Sequence, residues 1–200
     1  MKTTLIITLI ILAIMIITLS FVATSTKRTE EHAYTVLKVY EQFEIRKYQP
    51  ALFSGVKLPA SSYKETSYKG FRVLAGYIFG SNNKNQKIAM TSPVIMQLGD
   101  TSKMYFKVPD GYTVEQLPQP TDTNIVFEKQ EEKIMAAIRF SGFANDEKIK
   151  HYTAILKNAL QKENIAHTNT FNFLGYNPPY ELVNRRNEIA VELVRYTQQK

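Results

Sequence analysis

"GFRVLAGYIFGSNNKNQKIAMTSPV", residues 70–94, holds two different periods on either side of one polar loop. Before the loop, Phe71, Leu74 and Ile78 recur at i, i+3 and i+7, the spacing of one apolar helix face. Ser62 with Glu65 three residues on is a capping-box start for that helix, and Gly80 supplies the left-handed residue that ends it. After the polar "SNNKNQ", the run "KIAMTSPVIMQ" (87–97) nearly alternates apolar and polar residues, which is strand period, with a break at Ser92-Pro93. A capped helix passing directly into a strand points to a mixed fold.

The pattern extends in both directions. Upstream, "VYEQFEIRKY" (39–48) sets Val39, Phe43 and Ile45 against Glu44 and Arg46 as a strand, and "ALFSGVKL" (51–58) is a second extended run. Downstream, "KMYFKVP" is a short strand and "DGYTVEQLPQPTDT" a loop rich in turn residues. "NIVFEKQ" and "KIMAAIRFSGF" read as a hairpin turning at Glu131-Glu132. A second helix begins at Asn145, with Asp146 and Glu147 at its positive end, the stripe Ile149, Tyr152, Leu156 and Leu160, and Asn164 as terminator. "TFNFLGY" and "EIAVELVRY" are strands joined across "NPPYELVNRRN". Two helices of similar length, each followed by a strand with a proline, suggest an internal duplication. The fold class is α+β, a mostly antiparallel sheet curled into a distorted barrel that hides its edges, with two helices packed outside.

The N-terminus is a different material. From Thr3 to Thr26 there is no charge, and Leu5 to Val22 is almost wholly apolar, close to the ~20 residues that cross a hydrocarbon core. It reads as a hydrophobic helix over residues 1–26, a single-span anchor crossing through residues 4–23. The alternative is a cleaved signal ending near Ala23-Thr24-Ser25. Lys2 on one side and Lys27 and Arg28 on the other nearly balance, and export of the C-terminal body is the expectation. A polar linker (27–33) leads to a single body from residue 34 to 200. The net charge of +7 comes from scattered basic residues interleaved with Glu41, Glu44, Glu128, Glu131 and Glu132, a solvated surface rather than a nucleic-acid face.

Catalytic chemistry is sparse. With no cysteine there is no disulfide, thiolate metal site or covalent c-type haem attachment. His32, His151 and His167 share no metal-ligand spacing, and no nucleophile elbow or phosphate loop occurs. What remains is an aromatic excess, 12 Tyr and 11 Phe, which suits core packing and pockets for flat ligands alike. The residues describe a binding module better than an enzyme.

Three stretches, residues 34–56, 70–94 and 174–193, resemble the SOUL family of haem-binding proteins. The helix ending Tyr-Ile-x-Gly followed by Lys-Ile-x-Met-Thr-Ser-Pro-Val is the most specific of them. The resemblance implies two βαββ-type halves forming the distorted barrel, and noncovalent binding of haem or a related tetrapyrrole in an apolar cleft beside the first helix. Met90 matches a pocket methionine of the family, while its companion methionine is Gln86 here. A histidine proposed as axial ligand in one branch is Lys47, so no axial ligand is assigned and no metal-ligating residue is named. Lys84 and Lys87 are candidates to pair with the propionates, and Tyr77 and Phe79 to line the cleft. The expected role is reversible carriage or buffering. The competing readings are an enzyme that releases iron, with Tyr77 or Glu65 as proton donor, and a binder of another bulky apolar molecule.

Overall fold

The change of period at residue 80 is preserved in three dimensions. In the computed structural model of the chain, which describes residues 29–59, 61–97 and 101–196, helix α1 spans Tyr63–Ile78. Ser62 Oγ accepts the Glu65 N–H at 3.3 Å, which satisfies one first-turn donor. Leu74 and Ile78 enter the core, and Phe71 lies at its rim with its ring against Phe106. Gly80, at φ 119°, turns the chain out of the helix where a side chain would be strained. Helix α2 spans Asp146–Lys162, with Asn145 Oδ1 accepting the Lys148 N–H at 2.8 Å and Asn164 in the left-handed region at φ 55°. Leu156 and Leu160 are fully buried, and Ile149 and Tyr152 complete the stripe.

The strands are β1 (Glu30–Glu31), β2 (Tyr34–Val39), β3 (Glu44–Tyr48), β4 (Ala51–Pro59), β5 (Thr91–Ser92), β6 (Val94–Gln97), β7 (Thr101–Lys107), β8 (Ile125–Gln130), β9 (Lys133–Phe140), β10 (His167–Gly175) and β11 (Asn187–Leu193). Nine of them form one sheet in the order β2-β3-β9-β11-β10-β6-β7-β4-β8, antiparallel at every pairing, while β1 pairs in parallel with β5. The order β9-β11-β10 followed by β6-β7-β4 is a palindrome, and each arm is one β-α-β-β unit: β4-α1-β6-β7 and β9-α2-β10-β11.

Several expectations are corrected. Residues 124–143 do not form a hairpin: β8 bonds to β4 and β9 to β3 and β11, so the short Glu131-Glu132 link crosses between arms. Residues 39–48 are not one strand, because the chain reverses at residues 40–43 and β2 folds back on β3. The barrel does not close. β2 and β8 are unpaired edges of a curled half-barrel; period-2 patterning assigns faces but carries no information on pairing partners. His167 begins β10. Residues 30–32 of the expected linker are docked on the body: the His32 N–H donates to Ser92 O at 2.9 Å, and Lys107 pairs with Glu30. The expected N-terminal hydrophobic helix lies outside the described residues; among those described, no helix is long and apolar enough to cross a membrane.

Both helices lie on one face of the sheet, α1 over β4 and β7 and α2 over β9, β10 and β11. Strand parity sorts the residues accordingly. On β9, Ala136, Ile138 and Phe140 join the helix-side core, while Met135 and Ala137 belong to the opposite face. Gly70 permits the close seat of α1, since a Cβ there would lie 2.8 Å from Leu58 Cδ1 and 3.1 Å from Met104 Cβ.

Candidate ligand-binding site

Two places offer themselves, one on each side of the sheet. The first is the end of α1 and the loop that follows. The Ile88 N–H donates to Ile78 O at 2.8 Å, which brings residues 87–90 alongside the last helical turn. There Phe79 is 61% exposed, Lys84 and Lys87 are exposed, and Met90 is half-buried against the core. Tyr77 is placed differently from the expectation of a lining residue. It is buried, its hydroxyl donates to Pro118 O at 3.0 Å, and burial followed by the neighbouring Tyr112 pushes its pKa up to about 12. Gln86 is half-buried, with its side-chain amide 3.4 Å from the Tyr112 hydroxyl.

What organises this edge is Asn82. Its buried side-chain amide donates to Tyr77 O (3.1 Å) and Gln86 O (2.8 Å), and its Oδ1 accepts the N–H groups of Lys84 (3.2 Å) and Gln86 (3.0 Å). One side chain thus holds the whole 82–86 turn, and backbone bonds from Asn83 to Gln119 and from Thr121 to Ser81 brace it from outside. An asparagine inside a polar loop looks solvated in sequence, and only the folded loop distinguishes it from Asn83 or Asn85.

The second place is a cavity of about 370 Å³ on the face away from the helices. Tyr48 of β3 and Glu128 and Gln130 of β8 both line it. Those strands are second and ninth in the sheet, roughly 34 Å apart if it were flat with strands about 4.8 Å apart. Their meeting measures the curl. Ile95, Met135 and Leu174 form an apolar floor, Tyr105 a wall, and Glu128, Glu131 and Glu192 outnumber Lys103 and Lys133. Gly55 makes room for that wall: a Cβ there would sit 2.6 Å from the Tyr105 ring. None of Tyr77, Phe79, Lys84, Gln86, Lys87 or Met90 lines this cavity.

At one end of that face lies an ionic cluster that sequence reading missed. Glu188, 0% exposed, accepts from Arg46 Nη1 (2.6 Å), Arg46 Nη2 (3.2 Å), Arg186 Nε (2.9 Å) and the Tyr176 hydroxyl (3.1 Å). Arg46 also meets Glu44 at 2.8 Å and Arg186 meets Glu31 at 3.1 Å, so the cluster's charges are compensated. Lys47, at the position of the family's histidine, stands 2.9 Å from Glu132 as half of an ion pair. The helix edge therefore fits a macrocycle held by apolar contact and cationic side chains, with no histidine poised for an axial bond.

An open antiparallel half-barrel of two β-α-β-β arms, with an apolar helix edge and a cavity opposite, defines a small α+β binding domain. The chain belongs to the SOUL heme-binding protein family, whose profile matches residues 29–192. It is similar to "Heme-binding protein 1" of Xenopus laevis, 30% identical over 155 residues that span 74% of this chain and 81% of that one. Against "Heme-binding protein 2" of Homo sapiens it is 28% identical over 155 residues, 74% of this chain and 76% of that one. Among solved structures the EcmrR C-terminal domain shares the fold at TM-score 0.61 and 8% identity, covering 78% of this chain and 98% of that chain. SAV2435, solved bound to tetraphenylphosphonium, shares it at TM-score 0.50 and 9% identity, covering 77% and 94%.

Proposed function

We propose that this protein binds haem or a related tetrapyrrole reversibly and noncovalently at the α1 edge, as a carrier or buffer. The family match over residues 29–192 carries the reading. Its support in the geometry is the exposed Phe79, the half-buried Met90 and the two exposed lysines beside a turn already held rigid by Asn82. Apolar contact with the macrocycle supplies most of the affinity, and Lys84 and Lys87 orient the propionates, each exposed pair contributing about 0–1 kcal/mol. When bound, haem would supply a redox-active iron; this chain's residues hold and orient it.

The test is an absorbance titration of the full chain with haemin. Met90→Glu should weaken binding at least about tenfold, because it sets a carboxylate against an apolar ring. His151→Ala, on the exposed side of α2, should change nothing. Equal effects of the two would remove the assignment. Lys47→His should add a sharp low-spin Soret band only if β3 approaches the iron.

We further propose that residues 4–23 anchor the chain in a membrane with the body outside the cytoplasm, on the strength of the uncharged apolar run. A second ligand reading concerns the opposite cavity. Its three carboxylates against two lysines favour a bulky apolar cation over a haem dianion. Tetraphenylphosphonium is the probe, and it should bind without displacing haemin; mutual displacement would place both ligands in one site.

A further inference from the structure

The connection between β10 and β11, "NPPYELVNRR" (177–186), is braced from within and apolar at its tip. The Tyr176 N–H donates to Arg186 O at 3.2 Å, and Asn177 Oδ1 accepts the Arg186 N–H at 2.6 Å, which closes the base. The Arg185 guanidinium donates to the carbonyls of Asn177 (3.2 Å), Pro178 (2.8 Å) and Glu181 (2.6 Å) and lies over the Phe143 ring at 4.6 Å. Held in this way, the loop presents Tyr180, Leu182 and Val183 to solvent at 79, 69 and 76% exposure, with Phe143 at 53% beside Arg185. Single exposed apolar side chains are ordinary; three at one tip, with a fourth beside its brace, mark an interaction surface.

The occupant follows from where the chain enters. Arg186, at the base of the loop, pairs with Glu31 of β1 at 3.1 Å, and Glu30 is held by Lys107. Between residue 23, the end of the proposed span, and Glu30 lie six residues, 24–29. Six residues reach at most about 22 Å when extended, so a span over 4–23 would keep Glu30, and with it the base of the loop, within that reach of the hydrocarbon core and its roughly 5–7 Å interfacial layer. Such a tether makes docking intramolecular, and a shallow apolar contact then suffices. β1 also pairs with β5, and Gly175 pairs with Val94, so residues 90–93 lie at this same end of the sheet.

We propose that Tyr180, Leu182 and Val183 dock into the interface of the membrane that holds residues 4–23, turning the β10–β11 end and the nearby Met90 edge toward the lipid. The inference rests on the membrane anchor proposed above. An amphiphilic ligand would then exchange between bilayer and protein over a short path.

The chain has no tryptophan, so a single introduced one reports cleanly. The full chain carrying Leu182→Trp is reconstituted into phosphatidylcholine vesicles with brominated acyl chains. The control is Val39→Trp, 68% exposed at the far end of β2 from Tyr34, whose hydroxyl meets Arg186 at 3.0 Å. Bromine quenching of Leu182→Trp by about twofold or more, with none for Val39→Trp, is the expected result; Tyr180→Trp should repeat it. Emission from Leu182→Trp as unquenched as the control overturns the docking while leaving the anchor in place. A blue shift without bromine quenching also overturns it and makes a second protein copy the occupant. A full chain that does not float with the vesicles after an alkaline wash overturns the anchor, and the docking with it.

Discussion

At the scale of single residues, two buried polar side chains hold their surroundings together, Asn82 at the α1 edge and Glu188 at one end of the opposite face. Glu188 bridges two guanidinium groups at 0% exposure. Glu188→Gln keeps the shape but leaves buried Arg46 with only Glu44 and Arg186 with only Glu31 as anions, both at the rim of the cluster, and should cost about 3–5 kcal/mol, read as a lower urea midpoint. Asn82→Ala removes four hydrogen bonds from the 82–86 turn and should cost about 2–3 kcal/mol. It should weaken haemin binding in the same titration, because Lys84 and Gln86 lose their fixed positions. Neither residue announces itself in the sequence. Glu188 sits in the alternating run "EIAVEL" and looks like an outward-facing charge, since alternation identifies two faces without saying that both are covered. Resemblance points to Met90, and nearness to the loop points to Lys84 and Lys87; these three are exposed or half-buried in the structure, whereas Tyr77 is buried.

At the scale of elements, the local signals were the most legible. Ser62, Asn145, Gly80 and Asn164 bound two helices as capping chemistry requires, because a cap depends on residues within one turn of itself. The two starts are also joined: the Tyr63 N–H donates to the Asp146 carboxylate at 2.7 Å, so the first residue of α2 satisfies a donor at the first residue of α1. Ser62→Ala should cost about 1 kcal/mol in denaturant unfolding, and Asp146→Ala a comparable amount even though it lies on the other helix. Pairing of strands was the illegible part. The two-residue link between Gln130 and Lys133 has the length of a tight hairpin, yet it carries the chain from β8, bonded to β4, across to β9, bonded to β3. Nothing local in Glu131-Glu132 distinguishes a turn from a crossing.

At the scale of the whole molecule, the docked N-terminal segment should make stability depend on pH. His32 is 9% exposed and its Nε2 donates to Gln49 O at 2.8 Å; burial, the largest influence, pushes its pKa below the ordinary 6.5. As pH falls below 6.5 the unfolded chain takes up the proton first, so stability is fully present above 6.5 and is lost as pH falls toward the lowered folded value. The urea midpoint should therefore drop between about pH 7.5 and about pH 5, and His32→Gln should flatten that step. Of the architecture, the α+β class and the two repeated units were readable from the order of elements, whereas the open edges at β2 and β8 were not. The same strand order bears on how the protein is made. The last two strands to be synthesised, β10 and β11, occupy the middle of the sheet, and without them β2-β3-β9 and β6-β7-β4-β8 share no hydrogen-bonded seam. A ribosome delivering this chain from its N-terminus produces two incomplete sheets with bare inner edges and only then the pieces that join them. Nascent chains stalled before residue 187 should be the species that chaperones hold longest, and a frameshift late in the message would remove the keystone rather than trim a border.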